Sequence, residues 1–313
     1  MVAMMQAIVL LLGGFVLLIK GADFFVEGSS SVARTLRIPS MIVGLTIVAM
    51  GTSLPELAVS VTASVAGNNA LAVSNVIGSN LFNLMLVCGA CALFAPLIVK
   101  KEIPVSVLCA VLLFVLGISG MEIGRTDGVI LLLLFIGFLV WMVRSALKAH
   151  AASAEAEDPS GEYKIYPAWK CALYIVGGAV AIKFGGDFVV DGASAIAVKA
   201  GLSQNLIGLT IVAMGTSLPE FVTSVVAARK NEVDMAFGNV IGSNIFNILF
   251  ILGVTAAISP VAFIMENVVD SILLVLVSIL VWVFAWSRLH IEKKEGVVLL
   301  ALYAAYLVYI CMR

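Results

Sequence analysis

The sequence predicts an all-α, polytopic membrane protein of ten transmembrane helices, arranged as two inverted-topology five-helix repeats. Three observations predict it: a composition with no surface suited to water, ten apolar runs long enough to span a bilayer, and a thirteen-residue block that occurs twice. Of 313 residues, 62% are hydrophobic and 12% charged, with a mean hydropathy of +1.15. A soluble domain is nearer about half apolar and a quarter charged. That excludes a soluble enzyme, a disordered scaffold and a secreted disulfide module. The balance of 18 basic and 19 acidic residues gives a net charge of -1, which offers nothing to a nucleic acid.

The apolar runs fall at 6–26, 40–66, 71–94, 103–119, 127–147, 169–190, 204–228, 235–258, 268–286 and 296–312, and about 20 residues cross a membrane. The first is not read as a cleaved signal, because it lacks a basic start and runs on through Gly13 and Gly14. The fourth is short. The first and sixth are expected to stay helical beyond their apolar cores, through 27–37 and 191–200. The one long polar stretch, 148–168, carries Glu155, Glu157, Asp158, Pro159, Gly161 and Glu162 and reads as a linker. The expected organisation is a first five-helix repeat over 1–147, a cytoplasmic linker over 148–168, and a second, inverted repeat over 169–313.

Basic residues orient the chain. Of the 18, the loops on the side of both termini hold Arg125 and Lys199, with Arg313 at the end, and Lys20 and Lys183 lie within helices. The other 13, from Arg34 and Arg37 through Lys293 and Lys294, fall on the opposite side. The basic side is cytoplasmic, so both termini are expected to face outward from a prokaryotic inner membrane.

The repeat is specific. Residues 44–56 and 208–220 both read GLTIVAMGTSLPE, at an offset of 164. The same offset maps Asn75-Val-Ile-Gly-Ser-Asn80 onto Asn239-Val-Ile-Gly-Ser-Asn244, Phe82-Asn83 onto Phe246-Asn247, Asp23 onto Asp187, and Glu27 onto Asp191. Five spans per half is an odd number, so the second half enters the membrane in the opposite sense. Such inverted repeats are common in secondary transporters, whose sites lie at midplane between the repeats. Duplication for the sake of a stable bundle would not explain why the repeated residues are polar.

Glu56 and Glu220 sit near the middle of their spans, and a lone carboxylate there costs several kcal/mol unless partnered. Neither span has a Lys or Arg close by, so the cheapest partner is a bound cation. Pro55 and Pro219 cannot donate a backbone hydrogen bond and clash with the carbonyls of Gly51 and Gly215, so each helix should kink or break there. Thr52, Ser53, Thr216 and Ser217 add hydroxyls within a turn. The third and eighth spans supply Ser79 with Asn83 and Ser243 with Asn247, each pair four apart on one helix face. Asn80 and Asn244 point elsewhere, toward neighbouring helices or a pathway. Gly78 and Gly242 should allow close helix approach. The set is rich in oxygen and suits calcium or sodium rather than zinc or copper. Two carboxylates neutralise one divalent or two monovalent cations, which would make alternate occupancy a coupled exchange.

Other features read more plainly. Asp23, Glu27, Asp187 and Asp191 could anchor helix ends or line ion vestibules. Trp141, Trp169, Trp282, Trp286, Tyr303, Tyr306 and Tyr309 suit an interfacial belt. Cys88 and Cys91 are spaced for packing within a helix rather than for redox work. His150 and His290 lie at the cytoplasmic edge. No phosphate loop, dinucleotide fingerprint or catalytic triad is present, so neither an enzyme nor an ATP-driven pump is expected, and no cofactor.

Across nearly its whole length the chain resembles the sodium/calcium exchanger family of the cation/calcium antiporter superfamily, most of all its small prokaryotic members. The resemblance rests on the paired GTSLPE motifs and the paired motifs Ser74-Asn75-Val76-Ile77-Gly78-Ser79-Asn80 and Gly238-Asn239 onward. It implies calcium/sodium antiport by alternating access in a monomer, with lipid as the surrounding partner. It also implies cation ligands at Ala49 (carbonyl), Thr52, Ser53, Glu56, Ser79, Asn83, Ala213 (carbonyl), Thr216, Ser217, Glu220, Ser243 and Asn247. The first and sixth helices are implied to slide as a pair across the other eight. One position departs from the best-known archaeal pattern: Asn247 stands where that pattern has Asp, which puts a three-to-one sodium stoichiometry in doubt. Exchange driven by protons or potassium, and a cation channel, are the competing readings; the Ser-Leu-Pro-Glu setting favours sodium over protons.

Overall fold

The computed structural model describes residues 2–67, 69–98, 102–153, 165–202, 207–288 and 290–312. The chain is helical nearly throughout. The first half holds α1 (Val2–Thr35), α2 (Ser40–Thr52), α3 (Leu54–Val65), α4 (Leu71–Phe94), α5 (Ile103–Ile118) and α6 (Arg125–Ser153). The second holds α7 (Ala168–Lys199), α8 (208–215), α9 (Leu218–Arg229), α10 (Val233–Ile258), α11 (Met265–Arg288) and α12 (Lys293–Met312). Among the described residues, seven helices are long and apolar enough to cross a membrane, and the bent pair α2–α3 makes an eighth. The fourth apolar run forms the shorter helix α5.

Prolines and turns set the boundaries. Pro39 precedes α2 and Pro167 precedes α7, where a missing N–H costs nothing. At the end of α1, Arg37 adopts φ 50° while Ile38 N donates back to Ala33 O at 2.9 Å. At the end of α9, Asn231 adopts φ 61° while Glu232 N donates to Ala227 O at 2.9 Å. Both are left-handed helix stops that satisfy otherwise unpaired carbonyls.

The expected extensions of the first and sixth spans are present: α1 has 34 residues and α7 has 32. At 1.5 Å per residue that is roughly 50 Å against a hydrocarbon core of ~30 Å. These two helices therefore cross at a slant or project into the interface. They pack side by side, with Gly21 against Gly178 so tightly that a Cβ on Gly178 would meet the Gly21 carbonyl at 2.7 Å. The polar stretch read as a linker is partly helical: α6 runs on to Ser153 because Ala146 to Ala152 are mostly good helix formers. Residues 154–164 lie outside the described residues.

The core is α4 and α10, each 78% buried over its most apolar stretch, against 22–39% for the other long helices. The remaining helices ring this pair. Two short antiparallel ladders tie the halves together. In one, β1 (Leu97–Ile98) pairs with β4 (His290–Ile291); in the other, β2 (Glu122–Ile123) pairs with β3 (Val261–Ala262). Since 97 and 261 differ by the repeat offset, each half lends its strand to the other in the same way. Tyr303 and Tyr306 depart from the interfacial belt. Both are buried, and the Tyr303 ring meets Phe82 edge-on at 5.5 Å. Trp169 and Trp286 are exposed, and Cys88 and Cys91 are buried free thiols.

Candidate functional site

The helices that carry the repeated motif break where the prolines predict. The axis bends by 47° between α2 and α3, at Ser53. Pro55 and Pro219 fall in the first turns of α3 and α9, so Glu56 and Glu220 sit at new helix N-termini. The positive end of a helix dipole favours an anion there. The space beside each break is taken by the two long helices. The ring of Phe25, from α1, fills the place of a Gly51 Cβ, and Val190, from α7, fills that of Gly215.

The two glutamates are fully buried. Ser53-x-x-Glu56 and Ser217-x-x-Glu220 have the spacing of a helix capping box, yet neither serine caps its own helix. Instead the hydroxyls cross over. Ser53 Oγ donates to Glu220 Oε1 at 2.7 Å, and Ser217 Oγ donates to Glu56 Oε1 at 3.0 Å. Ser217 Oγ also lies 3.0 Å from Ser79 Oγ. The carboxylates are thus gathered into one place by residues of opposite halves. Among the described residues no Lys, Arg or His pairs with either of them.

The second wall comes from α4 and α10. Asn83 Nδ2 donates to Asn244 Oδ1 at 3.2 Å, and Asn247 Nδ2 donates to Asn80 Oδ1 at 3.0 Å. Asn80 and Asn244 also donate to each other's backbone carbonyls, at 3.3 and 3.4 Å. This quartet turns the Asn83 and Asn247 carbonyl oxygens away from the network. Both of those oxygens are buried without a hydrogen bond, as are Glu56 Oε2, Glu220 Oε2, Thr216 Oγ1 and Ser243 Oγ. Buried oxygens are nearly always paired. Orphans recurring at matched positions of both halves mark a place for a ligand that brings positive charge and no hydrogen-bond acceptor.

Each wall also carries a helical irregularity that the sequence did not announce. π-turns run over Gly44–Val48, Asn83–Val87, Gly208–Val212 and Asn247–Ile251. They recur at the repeat offset, and two of them begin at the site asparagines. Wide turns of this kind shift side-chain register and cluster at functional sites.

Sequence reasoning missed one layer. Asn75 Nδ2 donates to the Glu56 carbonyl at 3.4 Å and to Ser60 Oγ at 3.0 Å. Asn239 Nδ2 does the same for the Glu220 carbonyl at 3.4 Å and Ser224 Oγ at 2.9 Å. Asn239 Oδ1 further accepts the Thr52 hydroxyl at 3.1 Å. Ser60 and Ser224 differ by 164, so the repeat held the signal. The Ala49 carbonyl lies within the same helix turn, 3.3 Å from Thr52 Oγ1, and Ala213 occupies the matched backbone position in α8. Of the glycines expected to allow close approach, Gly242 presses on Leu45, but among the described residues a Cβ on Gly78 would meet nothing within 4 Å. Among the described residues no group of three or more His, Cys, Asp or Glu could hold a metal, so any cation held there would rely on neutral oxygens beside the two acids.

The flanking acids fall outside this cluster. Asp23 and Glu27 pair with Lys230 at 2.7 and 3.1 Å, Asp187 pairs with Lys183 on its own helix, and Asp191 is exposed.

The sodium/calcium exchanger protein family matches residues 6–144 and 170–312. The putative antiporter CaxA of Alkalimonas amylolytica is 44% identical over 268 residues, covering 82% of each chain. The sodium/calcium exchanger MaX1 of Methanosarcina acetivorans is 30% identical over 96% of this chain and 97% of that one. The solved structure of the sodium-calcium exchanger NCX_Mj, soaked with Na+ and Sr2+, superposes with a TM-score of 0.84 at 33% identity, over 97% of this chain and 98% of that one.

Proposed function

The chain belongs to the sodium/calcium exchanger protein family, and from that premise we propose that it is a secondary active antiporter exchanging calcium for sodium through one central site. The observation that carries the reading is the crossed pair Ser53–Glu220 and Ser217–Glu56. It gathers two unpaired carboxylates from opposite halves into one oxygen cage. Glu56 and Glu220 hold calcium and share in holding sodium. Thr52, Ser53, Ser79, Asn83, Thr216, Ser217, Ser243 and Asn247 complete the cage with the Ala49 and Ala213 carbonyls. The six orphaned oxygens support this assignment, because hard cations held among them would satisfy oxygens that no hydrogen-bond donor reaches.

The protein is a polytopic helical membrane protein. The ten-span reading counts α2–α3 as one broken crossing, α8–α9 as its inverted counterpart, and α5 as a short span. It gives five-helix repeats over 1–147 and 169–313, the 148–168 segment at the cytoplasm, and both termini outside. The repeat offset, the exchanged β-ladders and the distribution of basic residues support that arrangement.

Mechanism follows from charge. An empty site carries two negative charges and is costly to move within a membrane. One calcium or two sodium ions neutralise it, and only then does the site change the face it opens to. The α1–α7 pair, seated on Gly51 and Gly215 at the two helix breaks, moves as a unit to cover one face and uncover the other. With the uncharged Asn247 in place of a third acid, exchange proceeds without net charge.

The test is calcium uptake into proteoliposomes under imposed sodium, potassium and proton gradients in turn. A sodium gradient alone should drive uptake, with no sustained current, and Glu56→Ala or Glu220→Ala should abolish it. Uptake that ignores the sodium gradient, or survives either substitution, contradicts the assignment.

A further inference from the structure

The two amide clamps behind the glutamates are not equivalent, although their sequences are. Asn239 is 1% exposed and has partners on both ends of its amide: two acceptors for Nδ2, and the Thr52 hydroxyl on Oδ1. Asn75 repeats the two Nδ2 bonds. It does not repeat the third. Thr216, which the repeat pairs with Thr52, has a buried hydroxyl that makes no hydrogen bond to Asn75 among the described residues. The bond is made where the halves are pressed together, with Val48 at 1% exposure and Gly242 against Leu45. It is missing where Val212 is 45% exposed and where, among the described residues, a Cβ on Gly78 would meet nothing within 4 Å.

The hydroxyl proton matters to the site. A threonine hydroxyl has one proton and two acceptor lone pairs. The Thr52 proton has three acceptors in reach: Val48 O at 3.1 Å, Ala49 O at 3.3 Å and Asn239 Oδ1 at 3.1 Å. Given to Asn239, it leaves the Ala49 carbonyl unencumbered and turns the Thr52 lone pairs toward the cage. Asn239 therefore sets two oxygens of the first half while holding the Glu220 backbone of the second.

We propose that Asn75 and Asn239 are paired positioning residues that take turns: Asn239 holds the Thr52 hydroxyl while the face of the 35–39 loop is closed, and Asn75 takes the Thr216 hydroxyl when the face of the Ala66–Gly67 turn closes instead. Each amide stays fixed to its own half by the glutamate carbonyl and by Ser60 or Ser224. Only the bond to the opposite half is exchanged, so each asparagine stabilises one conformer and not the other. The proposal rests on the exchange reading, and adds to it which residues make the two closed faces unequal.

The test is the half-saturating calcium concentration at each face, measured separately in oriented vesicles, for Asn239→Ala and Asn75→Ala. Losing one net hydrogen bond from a single conformer shifts the balance between conformers roughly five-fold. Asn239→Ala should tighten calcium at the 35–39 face and weaken it at the Ala66–Gly67 face, so the ratio of the two moves about five-fold one way. Asn75→Ala should move it the other way. Should the alanine variants fail to fold, Ser224→Ala and Ser60→Ala remove only the hydroxyl that steadies each amide, and should give the same opposite signs at smaller size. General structural damage weakens both faces and leaves the ratio alone. A ratio that stays fixed, or moves the same way in both members of a pair, overturns the proposal while leaving the exchange reading intact. Absence of exchange in the unaltered protein would instead strike the exchange reading itself.

Discussion

The two halves share the thirteen residues GLTIVAMGTSLPE, yet the same residues have different surroundings. Val48 is buried against α10, and its counterpart Val212 is open. Gly44 and Leu45 of α2 lie backbone to backbone with Gly238 and Gly242 of α10, while among the described residues a Cβ on Gly78 in α4 would meet nothing within 4 Å. Identical sequence in unlike packing shows that these thirteen residues alone do not set their surroundings. A second asymmetry is written in the sequence. The corner after α9 reads Arg229-Lys230-Asn231-Glu232, and the matched corner after α3 begins Val65-Ala66-Gly67. Lys230 clasps Asp23 and Glu27 of α1, and Arg34 pairs with Glu232. The repeat places Ala66 where Lys230 stands, with no charge to offer Asp187 or Asp191.

The largest effect should come where the halves are alike. Glu56→Gln and Glu220→Gln should each reduce sodium-driven calcium uptake to background, because each removes one of the two charges of a shared cage. A half that tolerated its own substitution would break the symmetry of the site. Next, Gly242→Ala and Gly78→Ala should differ in sign. An added methyl at Gly242 meets the Leu45 backbone at 2.7 Å and should cost about 1–3 kcal/mol in a thermal unfolding assay. At Gly78 it meets nothing, and the gain in helix propensity should stabilise by up to about 1 kcal/mol. Equal effects would mean that the two interfaces are alike after all.

How much of this was legible in the sequence follows the same division. The break at Pro55 and the buried glutamates follow from local rules: a missing N–H and the cost of a lone charge. They came with the repeat, and so did the length of α1 and α7. The crossed serines were not legible, because Ser-x-x-Glu spacing ordinarily caps its own helix, and only tertiary packing sends the hydroxyl to the opposite half. The π-turns leave no mark on hydrophobic periodicity. Asn75 and Asn239 stood in the repeated motif, but nothing local says that their amides reach back to a glutamate carbonyl. Tyr303 and Tyr306 read as interfacial because tyrosine prefers that zone, but both are buried, Tyr303 against Phe82 and Tyr306 against Tyr303. The openness at Gly78 was beyond reach for a deeper reason: a repeat predicts what two halves can do, not which of them is doing it.

Smaller effects should sharpen the second asymmetry. Lys230→Met should release α1 from the α9 corner and lower stability by up to about 1 kcal/mol, since the pair is partly exposed and screened by salt. The change should shrink as salt is raised, and loss that ignored salt would argue against an ionic clasp. Burial alone would lower the Lys230 pKa, but the hydrogen bonds and charges of Asp23 and Glu27 outweigh it and raise it above the ordinary value of 10.5. A raised lysine contributes its stability fully below that value and loses it as pH climbs through the folded-state pKa. The clasp should therefore be indifferent to pH around neutrality and weaken only in strong alkali, which a pH series of unfolding temperatures on the unaltered protein and Lys230→Met would reveal.

The central claim is that two carboxylates, each held by the other half's serine, make one site and not two. Calorimetric titration of the purified protein with calcium, in the absence of sodium, tests it most directly. One calcium should bind per chain, be displaced by sodium, and be lost entirely in Glu56→Gln and in Glu220→Gln alike. Two calcium ions per chain, or one binding event surviving either substitution, would mean that each half keeps a site of its own.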